Sequence, residues 1–80
     1  MQEEQIIEAV TATIHEICGV NGIGPDQDFY DAGVASVQAL PLLMELESRF
    51  DVAIPDDVFV AVRTPRQLST AIRDLKGAAQ

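Results

Sequence analysis

The chain has no tryptophan, a single tyrosine, a single cysteine and, across 80 residues, only 5 basic side chains against 13 acidic ones. Each scarcity removes a class of function. A lone Cys18 excludes an intramolecular disulfide and fits a reducing compartment. The shortage of cations leaves a formal charge of -8, which speaks against binding a nucleic-acid backbone and favours basic partners. No apolar run approaches the ~20 residues of a membrane-spanning helix, and Met1-Gln2-Glu3-Glu4 is acidic where a secretory leader would be basic. The expectation is a soluble, cytoplasmic monomer that binds neither nucleic acid nor membrane.

Length sets the next bound. Residues 1–80 make one domain, whose small core supplies about 3–5 kcal/mol net, with little room for a deep cleft lined by catalytic groups. That shifts the expectation from an enzyme to a carrier or binding module. A composition 48% hydrophobic and only 22% charged belongs to a folded chain and not to a disordered tail. Charge is unevenly placed along it. Every acid except Asp74 precedes residue 63, where Arg49 is the only cation, whereas Arg63, Arg66, Arg73 and Lys76 follow. The first three quarters should therefore present the negative surface.

What the chain does have is helical periodicity. Ile6, Ile7, Val10, Ile14, Ile17 and Cys18 share one stripe of a helix running from Glu3 to Cys18, with Glu3 and Glu4 complementing the dipole of its first turn. Gly19, Gly22, Gly24 and Pro25 break it and open a long connection to about Ala35. Phe29, Tyr30 and Val34 need burial, so this loop should be ordered, with Asp26, Asp28 and Asp31 capping local N–H groups. A second helix is expected from Ser36 to Phe50, with Ala39, Leu42, Leu43, Leu46 and Phe50 inward and its start distorted by Pro41. Ile54-Pro55-Asp56-Asp57 leads to a short third helix carrying Val58, Phe59 and Val62. Thr64, Pro65 and Gln67 spell a capped start for a fourth, which Gly77 should end. The fold expected is all-α, a small four-helix bundle with a long first loop and a short third helix.

Two constellations are set aside. His15 and Cys18 stand three apart but point in different directions, which reads as a surface histidine beside a buried structural thiol. Gly19, Gly22 and Gly24 have no preceding strand and no following lysine, as a phosphate loop would require.

The run Asp31-Ala32-Gly33-Val34-Ala35-Ser36-Val37, continued by Leu40, Leu42, Met44, Glu45, Leu46, Glu47 and Phe50, resembles the acyl and peptidyl carrier protein family. Asp28-Phe29-Tyr30-Asp31, Ile54-Pro55-Asp56-Asp57 and Thr64-Pro65-Arg66-Gln67-Leu68 fit the same family at the right intervals, so the resemblance covers nearly the whole chain. It implies a phosphopantetheine arm on Ser36, installed from coenzyme A by a holo-acyl-carrier-protein synthase, a phosphopantetheinyl transferase. It also implies acyl groups carried as thioesters between partner synthases or acyl-transfer enzymes of fatty-acid, polyketide or related pathways, with no catalytic residue on the carrier itself. By local pattern alone Ser36 reads as an ordinary N-terminal helix residue, although the N–H groups there also suit a phosphodiester.

Three positions depart from the family pattern. Ala35 replaces an aspartate that, in the family, caps the helix and helps hold magnesium in the synthase complex; its loss should cost about 0.5–2 kcal/mol and make loading slow or selective. The exposed face of the second helix is less acidic than usual. Val37, Leu40, Pro41 and Met44, with Glu45, Glu47, Asp56 and Asp57, form the expected docking face, the alternative being that Leu40 and Met44 extend the core. Phe59 stands where a small residue is common; packed with Leu46, Ile54 and Val62 it would exclude long acyl chains and favour short or polar cargo. A second function stays open, a degenerate, non-enzymatic interaction module docking through the second helix without Ser36 loading.

Overall fold

The computed structural model describes residues 2–78, which form helices and loops with no strand among them. Helix α1 spans Glu3–Cys18, α2 Ala39–Phe50, α3 Asp56–Ala61 and α4 Pro65–Ala78; a single 3-10 turn, Ser36–Gln38, precedes α2. This is the expected four-helix bundle, with the long connection lying between α1 and the 3-10 turn.

Each helix buries the stripe its periodicity marks. Ile6, Val10 and Ile14 of α1 meet Leu42, Leu43, Leu46 and Phe50 of α2 and Leu68 and Ile72 of α4. Full burial of one such side chain contributes about 1.5–3 kcal/mol, so these three helices carry most of the stability. Polar ties fix their relative placement. Arg49 of α2 donates to Glu45 at 2.8 Å and to Thr13 Oγ1 of α1 at 3.1 Å, and also pairs with Glu16. Lys76 Nζ donates at 2.7 Å to the Phe50 carbonyl, one of the orphan acceptors at the end of α2.

The second helix starts later than its sequence pattern suggests. Residues 36–38 are a 3-10 turn, in which Gln38 N donates to Ala35 O at 2.9 Å and Ala39 N donates to Ser36 O. Pro41 explains the shift. A regular α-helix from Ser36 would need a Pro41 N–H for the Val37 carbonyl; starting α2 at Ala39 puts the proline in the first turn, where donors have no intrahelical partner anyway. At the far end Asp51 adopts φ 52°, a left-handed residue that stops the helix.

The connection is ordered, as Phe29 and Val34 require. Phe29 is fully buried, and its N–H donates to Arg63 O at 2.8 Å, while Arg66 N donates to Pro25 O at 2.9 Å. The expected capping by three aspartates is only one-third correct. Asp28 Oδ1 accepts from Tyr30 N at 2.8 Å and Asp31 N at 3.2 Å, but Asp26 is turned to Arg66 (2.8 Å), and Asp31 makes no such bond among the described residues. Gly33, at φ 129°, takes a backbone shape that L side chains rarely adopt just before the site.

Two details of α4 also differ. Thr64 Oγ1 accepts from Gln67 N at 3.1 Å as expected, yet the Gln67 side chain returns to Arg63 N (2.8 Å) and not to Thr64. The helix also runs past Gly77 to Ala78, because that glycine is not in the left-handed conformation that would stop it. Packing reaches α3 mainly through Phe59, the one buried residue of its six.

Candidate functional site

Ser36 is the first residue of the 3-10 turn and is exposed, and its hydroxyl makes no hydrogen bond among the described residues. Ala35 before it has the extended backbone of an N-cap (φ -81°, ψ 149°) but no side-chain acceptor to offer the turn. The turn compensates in two ways. Its tighter pattern gives Gln38 N the Ala35 carbonyl, and Gln38 Oε1 accepts from Ala35 N at 2.9 Å, the returning half of a capping box without the first half. The serine is thus held on a short rigid step above α2, presented to solvent with no competing internal bond.

An open cleft of about 480 Å³ adjoins it, lined by Tyr30, Ala35, Ser36, Ala39, Val60 and Arg63. Arg63 is the cation of this cleft, and its place is fixed from several sides. Its Nε donates to Asp28 Oδ2 at 2.5 Å, its guanidinium lies 5.1 Å from the centroid of the Tyr30 ring, and its backbone is held by Phe29 and Gln67. Tyr30 in turn packs against buried Phe29, ring centroids 4.7 Å apart. The hydrogen bond from Arg63 holds the Asp28 carboxyl below its ordinary pKa, despite partial desolvation, and Asp28 raises that of Arg63. A second, smaller cleft of about 220 Å³ continues between α2 and α3, bounded by Ala39, Leu40, Leu43, Asp56, Phe59 and Val60.

The residues expected to dock partners lie at two levels of engagement. Val37, Leu40 and Met44 are 85%, 62% and 60% exposed, which excludes Leu40 and Met44 as core residues, and Pro41, Asp56 and Asp57 are exposed beside them. Glu45 is paired with Arg49, and Glu47 Oε2 accepts from Ile54 N at 2.9 Å, so these two carboxylates are partly committed to the fold. Phe59 points inward, in one cluster with Leu46, Ile54 and Val62. His15 is exposed; Cys18 is half-buried where full burial was expected, and that burial raises its thiol pKa.

Sequence reasoning did not anticipate the cleft. Tyr30 was expected to pack and Arg63 to belong to a basic C-terminal stretch, and no local pattern joins either to Ser36. Val60, 72% exposed, was not singled out at all. The two stretches meet in the fold, through the bond from Phe29 N to Arg63 O and the contacts of the Arg63 side chain with Asp28 and Tyr30.

A family model described as the phosphopantetheine attachment site matches residues 8–72, a span centred close to Ser36. The acyl carrier protein of Chlorobium phaeobacteroides is 41% identical over 70 residues, covering 84% of this chain and 90% of its own. This chain belongs to the acyl carrier protein family. Among solved structures, the hexanoyl form of the carrier from the actinorhodin polyketide synthase of Streptomyces coelicolor is similar at TM-score 0.73 and 32% identity, over all of this chain and 95% of its own. The acyl carrier protein of Thermotoga maritima superposes at TM-score 0.83 over 100% of this chain and 96% of its own; at 18% identity it speaks for the fold alone. The protein is accordingly an acyl carrier of the phosphopantetheine-bearing kind, and the alternative of an unloaded interaction module is not favoured. An exposed, unbonded serine beside an open cleft that contains an anchored cation fits such an anionic arm.

Proposed function

We propose that Ser36 is the attachment residue, and that this carrier presents acyl groups, held as thioesters, to a succession of partner enzymes while performing no chemistry of its own. The observation that carries the assignment is the exposed Ser36 hydroxyl, free of internal hydrogen bonds, on a turn rigidly joined to α2. The group supplies a thiol at the end of a long flexible arm. The protein's part is to hold the serine out from the bundle, to keep its hydroxyl available to a holo-acyl-carrier-protein synthase, and to offer a surface that partners recognise.

The docking face in this reading joins Val37, Leu40, Pro41 and Met44 with the acids Glu45, Glu47, Asp56 and Asp57. Exposed apolar side chains beside carboxylates suit partners whose patches are basic at the rim and apolar at the centre. The carrier acts as a single-domain cytoplasmic monomer, without nucleic acid or membrane. No helix among the described residues is long and apolar enough to cross a bilayer.

The test is intact mass after incubation with coenzyme A and a permissive synthase. Wild type should gain one phosphopantetheine and Ser36→Ala none. Equal gain by both, or no gain by wild type with several synthases, would overturn the assignment.

A further inference from the structure

The cleft beside Ser36 has one unused recognition element. The Nε of Arg63 is taken by Asp28 and its guanidinium lies over Tyr30, yet neither terminal nitrogen, Nη1 or Nη2, makes a hydrogen bond among the described residues. A guanidinium has five N–H donors, and its outer edge matches a phosphate or carboxylate in two-point fashion. The surroundings make this cation worth having. The chain carries a charge of -8, Asp31 is close enough to act on Arg63, and the other arginines are engaged elsewhere: Arg49 with Glu16 and Glu45, Arg66 with Asp26, Arg73 with Glu3. An anion brought next to Ser36 therefore has Arg63 as the cation lining its cleft.

We infer that Arg63, held by Asp28 and Tyr30, is an anion-binding residue for the phosphodiester that joins the arm to Ser36, and that it lays the first part of the arm into the Tyr30–Val60 cleft. This rests on Ser36 being the attachment residue and goes beyond it, since attachment needs no clamp. A cleft of about 480 Å³ lies within the ~300–1,000 Å³ usual for ligand sites. The aromatic ring of Tyr30 and the exposed methyls of Val60 give the branched hydrocarbon next to the phosphate an apolar wall. The arm would leave the carrier in a preferred direction, along α3, instead of sweeping freely.

The experiment uses holo-protein with an isotope-labelled arm, its loading first checked by intact mass, in wild-type, Arg63→Gln and Arg63→Lys forms. In wild type the phosphorus resonance should differ from that of a free phosphodiester, and NOEs should connect the arm's geminal methyls to Tyr30 and Val60. Arg63→Gln should lose both, and Arg63→Lys should keep part of the phosphorus shift, with amide spectra of α1 and α4 unchanged in each. Identical phosphorus shifts and NOEs in wild type and Arg63→Gln would overturn the clamp while leaving the carrier reading intact. Contacts seen only when the thiol bears a malonyl group would also overturn it, by making the cargo's carboxylate the anion bound. Absence of any mass gain would remove both readings.

Discussion

Ala35 shows how one missing oxygen is absorbed. With an aspartate the side chain would accept the donors of the first turn; with alanine the turn tightens to 3-10 geometry, and Gln38 closes the loop from the other side. Ala35→Asp should therefore raise stability by about 0.5–1 kcal/mol, below the full worth of a cap because Gln38 N already has the Ala35 carbonyl as its acceptor. In a domain this small that is ~2–8 °C in melting temperature. The same change should speed loading by a generic synthase, measured as the initial rate of holo-protein formation. A rate unchanged by Ala35→Asp would mean that the serine's surroundings, not its neighbour, limit loading. Asp28 gives a residue-scale prediction of opposite kind. Its carboxyl is held low by Arg63, so its contribution is fully present above the unfolded value of about 3.9 and is lost as pH falls through the folded one. Asp28→Asn should be less stable than wild type at neutral pH, and the gap should close in acid-denaturation curves below about pH 4.

Among the elements, α1 and α4 were legible because their signals are local, a continuous stripe with acids or a threonine at the start, and only the end of α4 at Gly77 and the return of its capping box were misread. The start of α2 was not, since its position depends on Pro41 and Ala35 acting together, one refusing a donor and the other failing to accept one. The cleft was less legible still, because it is made by residues from the loop, from α2 and from the end of α3. The direction of Phe59 was left open by the sequence, since a helix of six residues is too short for its stripe to decide; it fills the core between α2 and α3 with Leu46, Ile54 and Val62. Short or polar cargo should accordingly stay outside the bundle. Octanoyl and holo forms should show nearly the same NMR shifts for Leu46, Ile54 and Val62 in wild type. Phe59→Leu, at a cost of about 1–3 kcal/mol, should make those shifts sensitive to chain length. Large core perturbations already in wild type would show that Phe59 does not block the space.

At the scale of the molecule, the segregation of charge seen along the chain is largely undone by folding. Arg63 and Arg66, late in the sequence, return to Asp28 and Asp26 in the loop, and Arg49 bridges α1 and α2. Arg73 lies beside Glu3 and Lys76 is turned to a backbone carbonyl, so each of the five cations already has a partner. Asp51, Asp56 and Asp57 have no ion pair among the described residues and gather where α2 ends and α3 begins. Their mutual repulsion should make melting temperature rise between low and moderate ionic strength, the screening length being ~10 Å at 0.1 M salt. A flat curve would mean that the surface ion pairs weaken by as much as the repulsion is relieved.

The bond from Phe29 N–H to the Arg63 carbonyl has a consequence for how the molecule breathes. It pins the chain just after α3, as the Glu47 carboxylate pins it just before, at Ile54. Between these two clasps lies a helix of six residues fastened by one aromatic ring. Such a segment can come apart and re-form alone, leaving the rest of the bundle intact. Deuterium should enter the amides of α3 through this sub-global opening long before those of α1 and α4, which exchange only when the whole bundle unfolds.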